Sequence, residues 1–215
     1  MITVVAFISQ KGGVGKSTLA RALAREAAVS GLKVKIADLD PEQATIVDWH
    51  KIRTKRAIDP ALSVELFRSI GPALNAASGQ DLLVIDGPAK ASSATTEIAK
   101  RADLIVQPTG PARDDLAPAI RVFHGLIKQG IASDRLIFAL NHIGTESEAD
   151  AARTYITDAG YEALPGYLPE RPAYRLAQNE GLAVTETRFH SLRDRADALI
   201  QSLIDSVTGG EGGNG

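Results

Sequence analysis

The sequence predicts an α/β fold, a mostly parallel twisted sheet flanked by helices, on three observations. Apolar runs bounded by turn signals alternate with segments of helical period along the chain, the pattern of βα units stacked on a parallel sheet. A glycine-rich turn leaves the first of those runs and opens the first helix. Two later runs end in a carboxylate, at Asp38 and at Asp86, where parallel sheets place their ligands.

The elements follow in order. Residues 2–8 form an expected buried strand, and residues 17–30 a helix with Leu19, Leu23, Ala24 and Ala27 inward, closed by Gly31. Further strands are expected at 34–38, 64–67, 82–86, 104–107 and 136–140, each followed by a segment able to form a helix, with a short strand around 164–168. The final helix, near 191–207, places Leu192, Ala196, Leu199, Ile200, Leu203 and Ile204 on one face, with Arg193, Asp194, Arg195 and Asp197 off it. Residues 1–207 are expected to make a single domain, and 208–215 a flexible glycine-rich tail.

Composition narrows the possibilities. In 215 residues, 44% hydrophobic and 23% charged, there is enough apolar material for a core, so a disordered chain and a fibrous repeat are disfavoured. Twenty-four basic and 26 acidic residues leave a net charge of -2, so any nucleic-acid contact must come from a local patch. With no cysteine, disulfides, thiolate zinc sites, cysteine nucleophiles and all-cysteine iron–sulfur clusters are excluded. The start lacks a secretory leader and no run approaches ~18 apolar residues, so a soluble cytoplasmic protein without a membrane segment is expected. His50, His124, His142 and His190 lack metal-ligand spacing and are expected to be ordinary histidines.

The strongest motif is Gln10-Lys11-Gly12-Gly13-Val14-Gly15-Lys16-Ser17-Thr18 between strand and helix. Gly12, Gly13 and Gly15 permit conformations a Cβ would hinder, so successive N–H groups can turn toward phosphate oxygens. Lys16 supplies a point charge, and the Ser17 hydroxyl at the first helical turn suits a magnesium ion bridging phosphates, where the helix dipole also favours anions. Lys11, Gly12, Gly13, Val14, Gly15, Lys16, Ser17 and Thr18 are therefore candidate nucleotide contacts, which makes ATP and Mg²⁺ the expected cofactors. A generic phosphate loop would want glycine at position 10, where this chain has Gln10.

The variant form, KGGxGK[ST] with an extra lysine at Lys11, resembles the deviant phosphate loop of the ParA/MinD family of ATPases, and the resemblance extends from Ile2 to about Val207. It implies that Lys11 crosses an ATP-sandwiched homodimer to reach the partner's phosphates, a lysine counterpart of the arginine finger. The segment Asp38-Leu39-Asp40-Pro41-Glu42-Gln43 looks like the family's DxDPQ, with Glu42 splitting the usual Pro-Gln pair. By resemblance Asp40 would help position the attacking water, and Asp38 would support either the magnesium shell or the loop; turn chemistry alone would let both simply cap the strand end. Leu82-Leu83-Val84-Ile85-Asp86 has the form of a Walker B strand, with Asp86 holding magnesium through water, and Ala89 stands where the family often has a second proline. Ser17, Asp38 and Asp86 are thus the metal candidates, and Lys11, Lys16 and Asp40 the catalytic ones. Asn141, after a strand, and Pro169, leading the loop 168–177, match positions the family places near adenine.

Family members of the short partition type, which begin at the phosphate loop as here, are ATP-dependent dimers that bind non-specific DNA. They move plasmids, chromosome regions or large protein assemblies over the nucleoid, with hydrolysis stimulated by a ParB-type or analogous partner. The resemblance implies the same for this chain, with Arg175 the candidate DNA contact and weak intrinsic hydrolysis. Arg171, Arg188, Arg193 and Arg195 accompany it, although Asp194 and Asp197 make an ion-paired face an equal alternative for Arg193 and Arg195. A second basic run, Lys51, Arg53, Lys55 and Arg56 beside Trp49 and His50, is either surface or a further contact. The alternative function is a small-molecule ATP-dependent synthetase or kinase of the same superfamily.

Overall fold

The structure, a computed structural model, describes residues 2–89 and 93–208. Within those residues seven parallel strands form one sheet: β1 (Thr3–Phe7), β2 (Val34–Asp38), β3 (Ser63–Leu66), β4 (Leu82–Asp86), β5 (Leu104–Thr109), β6 (Leu136–Leu140) and β7 (Glu162–Ala163). Their spatial order is β3-β2-β4-β1-β5-β6-β7. The inner strands β2, β4 and β5 are buried from end to end, which is why each is largely apolar in sequence, with Lys35 and Gln107 as buried polar exceptions within the runs.

Among the described residues, eight α-helices cover the two faces: α1 (Lys16–Val29), α2 (Thr45–Lys55), α3 (Ile70–Ala76), α4 (Ser93–Arg101), α5 (Arg113–Lys128), α6 (Glu146–Asp158), α7 (Pro172–Asn179) and α8 (His190–Thr208). One core layer packs Leu19, Leu23, Ile46, Trp49, Tyr174, Leu199 and Leu203 of α1, α2, α7 and α8 against Phe7, Ile36 and Val84. The other packs Ile70, Ile98, Phe123 and Ile156 of α3 to α6 against Ile85, Ile105 and Phe138. Side chains alternate between the layers along each strand, the period of a sheet covered on both sides.

The expected short strand at 164–168 is corrected: the edge strand is Glu162–Ala163. Leu164 and Leu168 still donate to the Phe138 and Leu140 carbonyls at 2.8 and 3.0 Å. Between them Pro165 has no N–H to give, and Gly166 takes a left-handed conformation (φ +81°), so no ladder can form. Thr208, expected in the tail, closes α8, and the rest of that expected tail, 209–215, lies outside the described residues.

The topology positions the site. The chain steps from β1 to β2 and β3 on one side, then returns through β4 to β5 on the other, so β1 adjoins the switch point where ligands enter open α/β sheets. At the strand ends there, Asp38 and Asp86 are direct register partners, and Asp86 also faces Phe7.

Candidate nucleotide and switch site

The loop from β1 into α1 is shaped by its glycines. Gly13 and Gly15 both take positive φ (+77° and +108°), and a Cβ on Gly15 would lie 1.9 Å from the Asn141 amide nitrogen. No other residue type fits position 15. Lys16 opens α1 and is buried, whereas Lys11 and Gly12 are exposed at the loop's outer edge. The first turn of α1 contains no acidic residue, so its free N–H groups and dipole are left for an anion.

Ser17 donates its hydroxyl to Asp86 Oδ2 at 2.5 Å. The other oxygen, Asp86 Oδ1, is buried without a hydrogen-bond partner among the described residues. A buried carboxylate oxygen with nothing to accept from is costly, and a cation or its water would satisfy it. Burial pushes the Asp86 carboxyl up to about 7; the Ser17 hydroxyl and then Lys16 and Arg21 pull the other way, and Asp38 adds to the rise. Ser17 and Asp86 therefore fit a hard divalent ion held beside phosphate, a site to which the protein would give only two groups.

Asp38 is engaged differently. Its Oδ1 accepts from the Asp40 N–H at 3.0 Å and its Oδ2 from the N–H groups of Ile46 and Val47 at 3.1 and 3.5 Å. These contacts tie it to the turn into α2. Burial raises its carboxyl, against the pull of those N–H groups. Asp40 is half-buried; its carboxylate accepts from Gln43 N at 3.3 Å and, across the loops, from Ala89 N at 3.0 Å.

Lys11 does not fold back over its own loop. Its ammonium pairs with Asp115 in the first turn of α5, and this contact raises the lysine's pKa. Its side chain is still 54% exposed, so it remains open to a partner.

Asn141 faces the loop. Its amide donates to Val14 O and its oxygen accepts from His142 N, both at 2.9 Å, so both polar ends are engaged by protein where a base contact was expected. Pro169 is buried and bridges to Ile143.

Several residues of the site were not anticipated. His142, in a left-handed conformation (φ 56°), hydrogen-bonds Gly13 O through Nε2 at 3.0 Å and Glu170 through Nδ1. Glu170 in turn pairs with Arg175 on α7, so a chain of contacts runs from the loop backbone to that arginine. Gln178 Oε1 accepts from both Thr18 and Arg21 at 3.0 Å, tying α7 to α1. Only the carboxylate pair Asp114-Asp115 after β5 carried a readable signal; His142, Glu170 and Gln178 are single residues far apart in sequence.

The basic candidates separate on the structure. Arg175 is exposed and Arg195 lies 3.9 Å from Glu146 and over the Tyr167 ring. Arg171, Arg188 and Arg193 have no carboxylate ion pair among the described residues.

Residues 5–184 match the model of the CobQ/CobB/MinD/ParA nucleotide-binding domain. The chain belongs to that family. It is 30% identical over 205 residues, 95% of this chain and 93% of the other, to the maintenance of carboxysome distribution protein A of Gloeobacter kilaueensis. Its fold matches MinD of Pyrococcus horikoshii, a structure in complex with Mg-ADP, at TM-score 0.77 and 19% identity over the whole of both chains. It also matches, at TM-score 0.66 and 17% identity over 95% of each chain, cobyrinic acid a,c-diamide synthase of Mycobacterium smegmatis with a bound ATP analogue and magnesium. One fold thus serves family members of different chemistry, and the site must decide between them.

Proposed function

We propose that this family member is an ATP-driven positioning switch. With ATP and Mg²⁺ it dimerises, the dimer holds non-specific DNA, and a ParB-type or analogous partner triggers a weak intrinsic hydrolysis that releases both. The observation that carries this reading is the placement of Lys11: a second loop lysine, exposed, with its ammonium paired to Asp115 of α5. A charge so placed can reach the phosphates of a second copy. The name of the Gloeobacter relative favours a large protein assembly as cargo, with plasmid and chromosome cargo as alternatives.

The chain's own groups divide the work as follows. Gly12 to Ser17 wrap the phosphates with N–H groups, Lys16 offsets their charge from within, and Lys11 does so from the partner. Thr18 is held by Gln178 at the rear of the loop. Ser17 and Asp86 would hold Mg²⁺, which supplies charge neutralisation between phosphates when bound. Asp40 orients the attacking water, and no strong general base is involved, so positioning sets the rate. The base would lie along the loop led by Pro169, with Asn141 supporting the cradle from beneath. Arg175 with Arg171 offers DNA a phosphate-directed, salt-sensitive contact, which places the protein on the nucleoid; no helix among the described residues is long and apolar enough to cross a membrane.

The test is binding to a random-sequence duplex with ATP, ADP or no nucleotide, with oligomeric state followed alongside. Binding and dimerisation that require ATP, vanish in Lys11→Ala and outlast the wild type in Asp40→Ala are expected. A nucleotide-bound monomer indifferent to DNA would instead favour a small-molecule synthetase or kinase.

A further inference from the structure

Asp40 is gripped from two loops. Its own turn supplies Gln43 N–H to Oδ1 at 3.3 Å, and the segment after β4 supplies Ala89 N–H to Oδ2 at 3.0 Å. The first grip travels with Asp40, since both residues belong to the turn between β2 and α2. The second does not. Gly87, two residues before Ala89, is buried and donates its N–H to Phe7 O at 2.9 Å, and a Cβ there would stand 2.7 Å from that oxygen. Leu39 N–H also reaches Asp86 O at 2.9 Å, so the two strand ends are stitched immediately before they diverge. Among the described residues, Ala89 makes the one hydrogen bond that fixes the Asp40 carboxylate to a segment other than its own.

We propose that the Ala89 N–H is a positioning group for hydrolysis, holding the Asp40 carboxylate at the angle at which it orients water. The inference rests on the reading of Asp40 given above. Each carboxylate oxygen can accept more than one hydrogen bond, so the Ala89 contact leaves Oδ2 able to hold water as well. A group that works by orientation must be held to about half an ångström, and a displacement of about 1 Å is enough to cost on the order of a hundredfold. A half-exposed aspartate held only by its own turn is not so constrained. Ala89 acts through Asp40 and touches no reacting atom.

The substitution that removes the donor and adds little else is Ala89→Pro, because proline has no N–H. A proline at 89 also restricts the backbone of Pro88 before it, so Ala89→Gly is the paired control that keeps the donor. Single-turnover hydrolysis with Mg-ATP is measured for both, beside nucleotide affinity, alone and in the Asp40→Ala background. Ala89→Pro should slow hydrolysis by about tenfold with nucleotide affinity within about twofold of wild type, Ala89→Gly should recover most of the rate, and Ala89→Pro should add nothing to Asp40→Ala. Hydrolysis at the wild-type rate in Ala89→Pro, while Asp40→Ala is slow, overturns the positioning role alone. Wild-type hydrolysis in Asp40→Ala removes the reading of Asp40 and this inference with it. Should Ala89→Pro not fold, amide exchange at Ala89 decides: faster exchange in Asp40→Ala than in wild type supports the contact, and equal exchange sinks it.

Discussion

Two charged clusters stand out in the sequence, the phosphate loop with its strand-end aspartates and the basic run beside Trp49, and the structure treats them in opposite ways. In the second, the two buried members, Arg53 and Trp49, are satisfied within the chain. Arg53 is buried; it pairs with Glu186 at 2.7 Å and donates to the carbonyls of Asp59, Pro60 and Gly181. Trp49 gives its indole N–H to Leu182 O at 3.1 Å and is flanked by the guanidinium groups of Arg21 and Arg53. In the first, Asp86 Oδ1 is buried with no partner among the described residues and the first turn of α1 carries no acid. A cluster that fastens α2 to the segment before α8 closes its hydrogen bonds; a cluster that receives a ligand leaves some open. Cost and purpose coincide there.

The sharpest way to break this contrast is Arg53→Ala. It strands Glu186 in the interior with Arg25 Nε 3.4 Å away and the Ala183 N–H as its remaining partners. A loss of about 3–5 kcal/mol in unfolding free energy is expected from denaturant titration, with nucleotide affinity of the folded fraction unchanged. Replacing both members, Arg53→Met with Glu186→Leu, should restore most of that stability. Weakened nucleotide binding with stability intact would mean that the Trp49 run belongs to the site.

Asp86→Asn is the counterpart in the phosphate site. It keeps the shape and removes the charge, so affinity for Mg-nucleotide is expected to fall by about 10- to 100-fold while affinity for metal-free nucleotide holds or rises. Thermal stability should not fall, because a carboxylate that burial disfavours is being replaced by a neutral group. Equal losses with and without metal would remove Asp86 from the ion's shell.

Acidity offers a finer probe of the same oxygen. The ordinary carboxyl value of 3.8 is raised to about 7 in the folded protein, mainly by burial. Between those values the folded state keeps a proton that the unfolded chain has given up, so Asp86 contributes stability below about pH 4 that is lost as pH rises through about 7. Mg²⁺ needs the ionised form. Affinity for Mg-nucleotide should therefore weaken by up to tenfold for each pH unit below about 7, with a far shallower slope in Asp86→Asn. Parallel slopes in the two proteins would place the titration elsewhere.

How much of this was legible follows from where the information lies along the chain. β4 and β6 were bounded correctly because burial on both faces writes an apolar run that stops where the sheet stops, and β2, interrupted by Lys35, because Gly31 before it and Asp38 at its end mark its limits. β7 was misplaced because two residues carry no period, and the apolar Leu164, Tyr167 and Leu168 nearby belong to extended chain that Pro165 and Gly166 keep out of a ladder. The phosphate loop was legible because one contiguous turn performs one task. Its supports were not: Asn141 lies 127 residues from the Val14 carbonyl it holds, and Gln178 lies 160 from Thr18. The basic run misled in part because Arg53 and its neighbours look alike in sequence, and only the arrival of Glu186, 133 residues on, decides which arginine goes inside.

Asp115 supplies the smallest and most discriminating test. Its pair with Lys11 is at the surface, on a lysine 54% exposed, and surface pairs add little to stability. Asp115→Asn should therefore leave thermal unfolding where it is, in contrast to Arg53→Ala. What it changes is competition. Asp115 holds the ammonium that the partner's phosphates would need in the proposed dimer, so dimer formation would have to exchange one anion for another. Neutralising Asp115 is expected to strengthen ATP-dependent dimerisation by no more than about fivefold, measured by sedimentation, and to shrink that gain as salt screens the pair. The effect must be absent with ADP and absent in Lys11→Ala. A weaker dimer in Asp115→Asn would mean that Asp115 holds Lys11 ready for the partner's phosphates instead of competing with them. The sign of one small shift thus separates a lysine that is stored from a lysine that is aimed.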